Sequence, residues 1–312
     1  MMAYIIRRVW QMIPTLLGVV LLVFLLFNWV GGDPAYVLAG KISNQDQIDN
    51  IRRQLGVDQP FYVQLWIFIK QILTADFGAS WSTNEPVSNI LATRLGPSLT
   101  VLVPLLILDT IVSVALALAV AYVRGSLTDR LVMIVCTVGL SISILVYIIV
   151  FQYVFAYKLG WFPVQGWGDS FAENLFRFSL LPILIALVVS IAPSLRLYRT
   201  FVLDEINQDY VRTARAKGVG ENRIMWVHVL RNASIPIITH VMAALPGLLI
   251  GAFLIERFFS IPGIGREVIL AVERSDFPVI KALTVYVAIT TMIVNLLADL
   301  TYKAVDPRVQ LK

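Results

Sequence analysis

Six apolar runs, at residues 9–30, 99–123, 131–155, 179–199, 233–255 and 280–302, constrain this chain more than any other feature. Each holds about 20 residues or more, which at about 1.5 Å per helical residue crosses a hydrocarbon core of about 30 Å. A soluble core cannot bury that much Leu, Ile, Val and Phe. Of the 312 residues 58% are hydrophobic and only 14% charged, with a mean hydropathy of +0.79, whereas soluble domains carry about 25% charge. Lipid resolves the excess, and unbroken runs of this length satisfy their backbone there as helices. The sequence therefore predicts an all-α membrane protein with about six transmembrane helices.

Arg7 and Arg8 precede the first run, as they would in a secretion signal. The run is longer than the usual apolar region of about 7–15 residues, and no small-x-small cleavage site follows, so it reads as a true span. Orientation follows from the basic residues. The N-terminus, the 124–130 turn, the 196–231 segment and the C-terminal tail together hold 14 of the 25 Lys and Arg. The opposite side holds 6 once the long 31–98 loop is discounted, because loops beyond about 60 residues translocate regardless of charge. Both termini are expected in the cytoplasm. The net charge of +5 is then a property of cytoplasmic loops and calls for no nucleic acid. Cys136 stands alone inside an apolar run, so the chain forms no internal disulfide and offers no cysteine-based metal site.

The chain divides into residues 1–30, the N-terminus and first span; 31–98, an external loop with short helices; and 99–312, a core of five spans with a cytoplasmic loop near 200–232. In the external loop, Asn44 to Leu55 places Ile48, Ile51 and Leu55 on one helical face and ends at Gly56, which reads as the C′ residue. Phe61 to Leu73, with Trp66 and Phe68, suits a helix lying on the membrane surface or against the bundle. Asn84 before Glu85 and Pro86 reads as an N-cap leading into the second span. These elements either pack over the bundle or dock an external partner.

The most informative stretch joins the fourth and fifth spans. Asp209, Tyr210, Val211, Arg212, Thr213, Ala214, Arg215, Ala216, Lys217 and Gly218 run in order. Asp209 can cap a short helix over Tyr210 to Lys217, and Gly218 can end it in the left-handed conformation. Arg215 and Lys217 complement the helix dipole. With small side chains at Ala214 and Ala216, the helix can lie in a groove of another protein.

This stretch resembles the cytoplasmic EAA loop of ABC importer permeases, in which a short coupling helix docks on an ATPase. The family pattern of Glu-Ala-Ala, three residues, Gly, nine residues, Ile-x-Leu-Pro falls here on Arg212, Thr213, Ala214, Gly218, His228, Leu230 and Arg231. One alanine, the glycine and the leucine agree; Glu, Ile and Pro are replaced. Those departures resemble the B-type permease subunits of dipeptide and oligopeptide importers. Further matches to the same subfamily run in its order: Leu55 to Gln64, Asp76-Phe-Gly78, Leu159 to Pro163, Glu256 to Gly265 (ERFFSIPGIG) and Asp306-Pro-Arg308. The resemblance implies the type I ABC importer permease fold, and an ATPase-coupling role for Asp209 to Gly218 with His228, Leu230 and Arg231.

No Walker A sequence occurs, so this chain holds no ATP in that fashion and is expected to be a non-catalytic subunit. The resemblance implies a second related permease, two cytoplasmic ATPase subunits or domains carrying ATP and magnesium, and a periplasmic or lipid-anchored binding protein. It implies a bacterial inner-membrane location and a di- or oligopeptide cargo, with nickel chelates, glutathione and peptide antibiotics as alternatives. Pro262, Gly263 and Gly265, following Glu256, lack a phosphate-loop pattern and read as a tight turn or re-entrant element at the outer gate.

Polar groups within spans are functional candidates because lipid offers them no partners. Asp109 lies in the second span, and Asn295 and Asp299 lie four apart on the last; each either lines the pathway or is paired internally. Pro193 and Pro246-Gly247 permit bends. An ion-coupled secondary transporter would commonly show inverted repeats, and none is evident. A membrane enzyme is disfavoured by the presence of only two histidines, His228 and His240, with no HExxH or GxSxG.

Overall fold

A computed structural model describes residues 2–30, 35–36, 44–55, 58–250 and 252–305. The expected features at Gly56 and at Asp306 to Arg308 lie outside the described residues, as do the side chains of Ile51 and Leu55. Among the described residues the fold is helical and contains no strand; two residues, Ala79 and Pro86, form an isolated bridge.

Helix α1 (Met2–Leu25) continues as a wider π-helical turn to Val30. Helices α2 (Gln45–Leu55) and α3 (Phe61–Thr74) follow where the external loop was expected to be helical. Phe68 of α3 is buried with Val20, Val23 and Phe24 of α1, whereas Trp66 is exposed. Helix α3 thus lies against the bundle. Helix α4 (Val87–Tyr122) begins twelve residues before the apolar run predicted at 99. Pro86 occupies its N-cap position without a side-chain cap, and Asn84 instead adopts a left-handed φ of 58° in the turn before it. The expected Asn84 cap is therefore wrong: Asn tolerates the left-handed turn that positions Pro86.

The third run is not one straight span. Helix α5 (Leu127–Ser141) and helix α6 (Ile144–Phe151), prolonged by a π-helical stretch to Lys158, meet at 93°. Ser143 starts the second arm by accepting a bond from Leu145 N at 3.3 Å, and Tyr147 OH donates to Gly139 O at 3.1 Å across the bend. Serine chemistry inside an apolar run breaks what hydropathy reads as continuous. Helix α7 (Leu180–Ile206) is the fourth span, followed by the short helix α8 (Asp209–Ala216). The fifth run is split between α9 (Leu230–Ile250) and α10 (Phe253–Phe258), the latter paired with α11 (Ile264–Glu273). Helix α12 (Phe277–Val305) closes the described chain.

Among the described residues four helices are long and apolar enough to cross a membrane, and counting the bent α5–α6 pair as one span makes five. The expected count of six is approximate, and the third run is bent.

Lipid provides little hydrophobic drive between helices, so close packing through small residues does the joining. Helix α4 packs most extensively on α7. The cluster that includes the end of α4 contains Ala117, Ala121, Ala192 and Ala233, together with Tyr198, which is 1% exposed. That cluster continues into α8 through Val211 and Ala214. A second cluster, around Val101, Leu181 and Ile261, joins α4, α7 and the α10–α11 hairpin toward the other end of α4.

Candidate functional site

Helix α8, which carries the predicted coupling residues, is short because Gly218 ends it with a φ of +76°. Its N-cap is Gln208, with no side-chain bond, and Asp209 is the first helical residue. The expected Asp209 cap is thus displaced by one residue, leaving Asp209 where its charge favours the helix N-terminus. Val211 is fully buried and Ala214 is 8% exposed, both packed on Ile224, Met225 and Val229. Asp209, Arg212, Thr213, Arg215, Ala216, Lys217 and Gly218 remain exposed. Ala214 therefore belongs to the seat of α8, and the free face is formed by Arg212, Thr213, Ala216 and Lys217.

The seat is firm. Tyr210 OH donates to Glu205 Oε2 at 2.7 Å, and burial together with that carboxylate pushes the Tyr210 hydroxyl up to about 12. Arg215 holds Glu221 in a two-pronged pair of 2.7 and 3.1 Å, which keeps the Glu221 carboxyl below its ordinary range. Leu230 packs against the same cluster, His228 is half-buried and Arg231 is exposed. His228 O accepts from Asn232 Nδ2 at 3.4 Å. The base of α8 is thus fixed to α7 and α9 while its outer face stays open.

Within the bundle, Asp109 of α4 is 8% exposed. Its Oδ1 accepts from Ser190 at 2.9 Å and Ser113 at 3.3 Å, and its Oδ2 from Ser194 at 2.8 Å. Ser190, Ser194 and Tyr198 follow at i, i+4 and i+8 on one face of α7. Tyr198 OH lies 3.1 Å from His240 Nδ1 of α9. These five residues, Asp109, Ser190, Ser194, Tyr198 and His240, form the polar wall of a cavity of about 210 Å³. Leucines 102, 105 and 106, with Val241, Ala244 and Gly247, complete it. Asn295 and Asp299 do not join this wall. Asp299 pairs with Arg8 of α1 at 3.1 Å, and Asn295 is exposed on α12. Sequence reading found Asp109 but missed the serines, whose i, i+4 spacing on α7 repeats the Asp109–Ser113 spacing on α4.

Toward the opposite end of α4 from α8, Glu256 is fully buried. Its Oε1 accepts from Ser98 Oγ at 2.8 Å and Ala252 N at 3.0 Å, and its Oε2 from Arg266 N at 3.0 Å. Ser98 Oγ in turn accepts from Ile264 N at 2.8 Å. Gly263 and Gly265 are required by closeness: a Cβ on Gly263 would sit 2.5 Å from Ser98 Oγ, and one on Gly265 would sit 2.7 Å from Phe253 N. Pro262 lies in the turn between the two helices. Arg94 adds an ion pair of 3.2 Å from α4 to Glu267 of α11. The hairpin is clamped onto α4.

Residues 111–311 match the family described as binding-protein-dependent transport system inner membrane component, and residues 1–102 match its N-terminal family. The chain is 35% identical over 312 residues, covering 100% of both chains, to the glutathione transport system permease protein GsiC of Salmonella typhimurium strain LT2. The protein of the same name from Escherichia coli strain K12 matches at the same identity and coverage. The chain belongs to the binding-protein-dependent transport system inner membrane components, the permease subunits of ABC importers.

Proposed function

We propose that the chain forms, with a second related permease, the pathway of an ATP-driven importer for small peptides, with glutathione as the leading cargo. The relatives are named for glutathione transport, and glutathione falls within the peptide class that the sequence motifs resemble. Two cytoplasmic ATPase subunits supply ATP and magnesium, and a periplasmic or lipid-anchored binding protein delivers the cargo. Both termini face the cytoplasm, so α8 lies on the ATPase side and the α10–α11 hairpin on the outer side.

The observation that carries this reading is the construction of α8: a base buried among α7 and α9 and an open face of Arg212, Thr213, Ala216 and Lys217. A partner seated on that face pulls on α7, the helix packed most closely on α4. Closure of the ATPase pair rocks α4 and its clamped hairpin to open the pathway outward, and hydrolysis resets it. Energy enters through α8 and is spent on moving α4 against its neighbours.

Reconstitution of the chain with its partner permease, ATPases and binding protein tests the reading. Labelled glutathione should accumulate in vesicles only with hydrolysable ATP and the binding protein. Uptake that needs no ATP, or that follows an ion gradient, contradicts it.

A further inference from the structure

We propose that the cavity between α4, α7 and α9 is a cargo subsite that receives a protonated primary amine, with Asp109 as its anion. The inference rests on the importer reading and names the chemistry of one stop along its pathway. Among the described residues Asp109 accepts hydrogen bonds from three serine hydroxyls, and no Lys or Arg forms an ion pair with it. A carboxylate offers about four acceptor positions, and the serines occupy three. One position remains on a group that also lines the cavity. Hydroxyl donors orient an anion without supplying its missing positive charge, and an uncompensated charge among spans is costly.

The remaining walls fit a small cation carried on an organic body. About 210 Å³ exceeds what a single water needs, at about 30 Å³, and is enough for an amino terminus with its first residue. Leu102, Leu105 and Leu106 give that residue an apolar surface, while Tyr198 and His240 hold each other in the polar wall. An ammonium group has three N–H donors and no acceptor, which complements a wall whose open group is an acceptor. Glutathione, through its γ-linked glutamyl residue, and simple peptides, through their amino terminus, both carry a free primary ammonium, so the subsite recognises the one cationic group that the cargo class has in common.

The test compares glutathione with N-acetylglutathione in vesicles containing the complete importer, each at concentrations that saturate the binding protein as measured on that protein alone. Wild type should transport the free amine about tenfold faster than the acetylated form. In Asp109→Asn, with assembly verified by co-purification, that ratio should collapse toward one. A ratio within about twofold of wild type in Asp109→Asn overturns the subsite. If that variant fails to assemble, Ala244→Leu decides, because it fills the cavity without removing a hydrogen bond. The KM for glutathione should then rise about tenfold, and an unchanged KM overturns the proposal. Absence of ATP-dependent uptake of either compound by wild type contradicts the importer reading itself, and the subsite with it.

Discussion

Ser98 of α4 and Glu256 of α10 stand 158 residues apart in sequence and are joined by a hydrogen bond of 2.8 Å, both fully buried. The bond gives the ERFFSIPGIG run a physical meaning. The Glu256 carboxyl is held by Ser98 and two backbone amides, and the glycines are the residues that let the hairpin close around it.

Gly265→Ala should therefore destabilise the hairpin, because the added methyl meets the Phe253 backbone, which cannot rotate away. A loss of about 1–3 kcal/mol is expected, read as a lower thermal midpoint of the purified protein in detergent. Glu256→Gln should cost a similar amount, since an amide places a donor where a second backbone donor already points. A midpoint equal to wild type in both variants would remove the clamp from the account.

Asp276, just before α12, accepts bonds from Ser80 Oγ at 2.5 Å, Ser82 Oγ at 2.8 Å and Trp81 N at 3.1 Å. Burial pushes its carboxyl up, but the bonds from Ser80, Ser82 and Trp81 outweigh burial, and the net shift is downward. A carboxyl lowered in the folded state adds stability above its unfolded pKa, and that stability disappears as pH falls through the folded value. Acid titration should detach the 77–86 segment from α12 below the ordinary carboxylate range. Asp276→Asn should show that loosening already at neutral pH, measured by hydrogen exchange at Trp81 and Ser82. Equal protection in the two proteins at neutral pH would contradict the prediction.

Arg199 of α7 meets Asp129 of α5 at 2.8 Å, with side chains 20% and 8% exposed. Asp129 also accepts from Gly125 N at 2.9 Å, which ties the 124–126 turn to both helices. Removing one partner of a largely buried pair leaves a charge without compensation. Arg199→Met should destabilise by about 3 kcal/mol, and adding Asp129→Asn should recover part of that loss. A double-mutant cycle in thermal unfolding checks the coupling; strictly additive effects would refute it.

Much of this layout was legible in the sequence, and the failures have identifiable causes. Run length located α1, α4, α7 and α12, because lipid solvation acts on every residue of a span. It could not show the 93° bend at Ser141 to Ser143, where two side chains among many apolar ones decide the geometry. The left-handed end of α8 at Gly218 was legible because no other residue type adopts that φ as readily. The burial of Ala214 was not, since an eight-residue helix of small and basic residues does not announce which side faces its base. Asp109 stood out as an acid in a span, but its serine partners sit on α7, 81 and 85 residues away for Ser190 and Ser194. Only the packing of α4 on α7 brings them together.

The central claim is that ATP-derived motion enters through the exposed face of α8. Ala216→Trp places bulk on that face, whereas Ala214→Trp would disrupt the seat beneath it. The decisive measurement is ATP-dependent glutathione uptake by the reconstituted importer carrying Ala216→Trp, alongside the thermal midpoint of the permease. The account predicts an unchanged midpoint with uptake reduced more than about tenfold, as for loss of a central contact in an interface. Uptake and cargo-stimulated ATP hydrolysis at the wild-type level would contradict it.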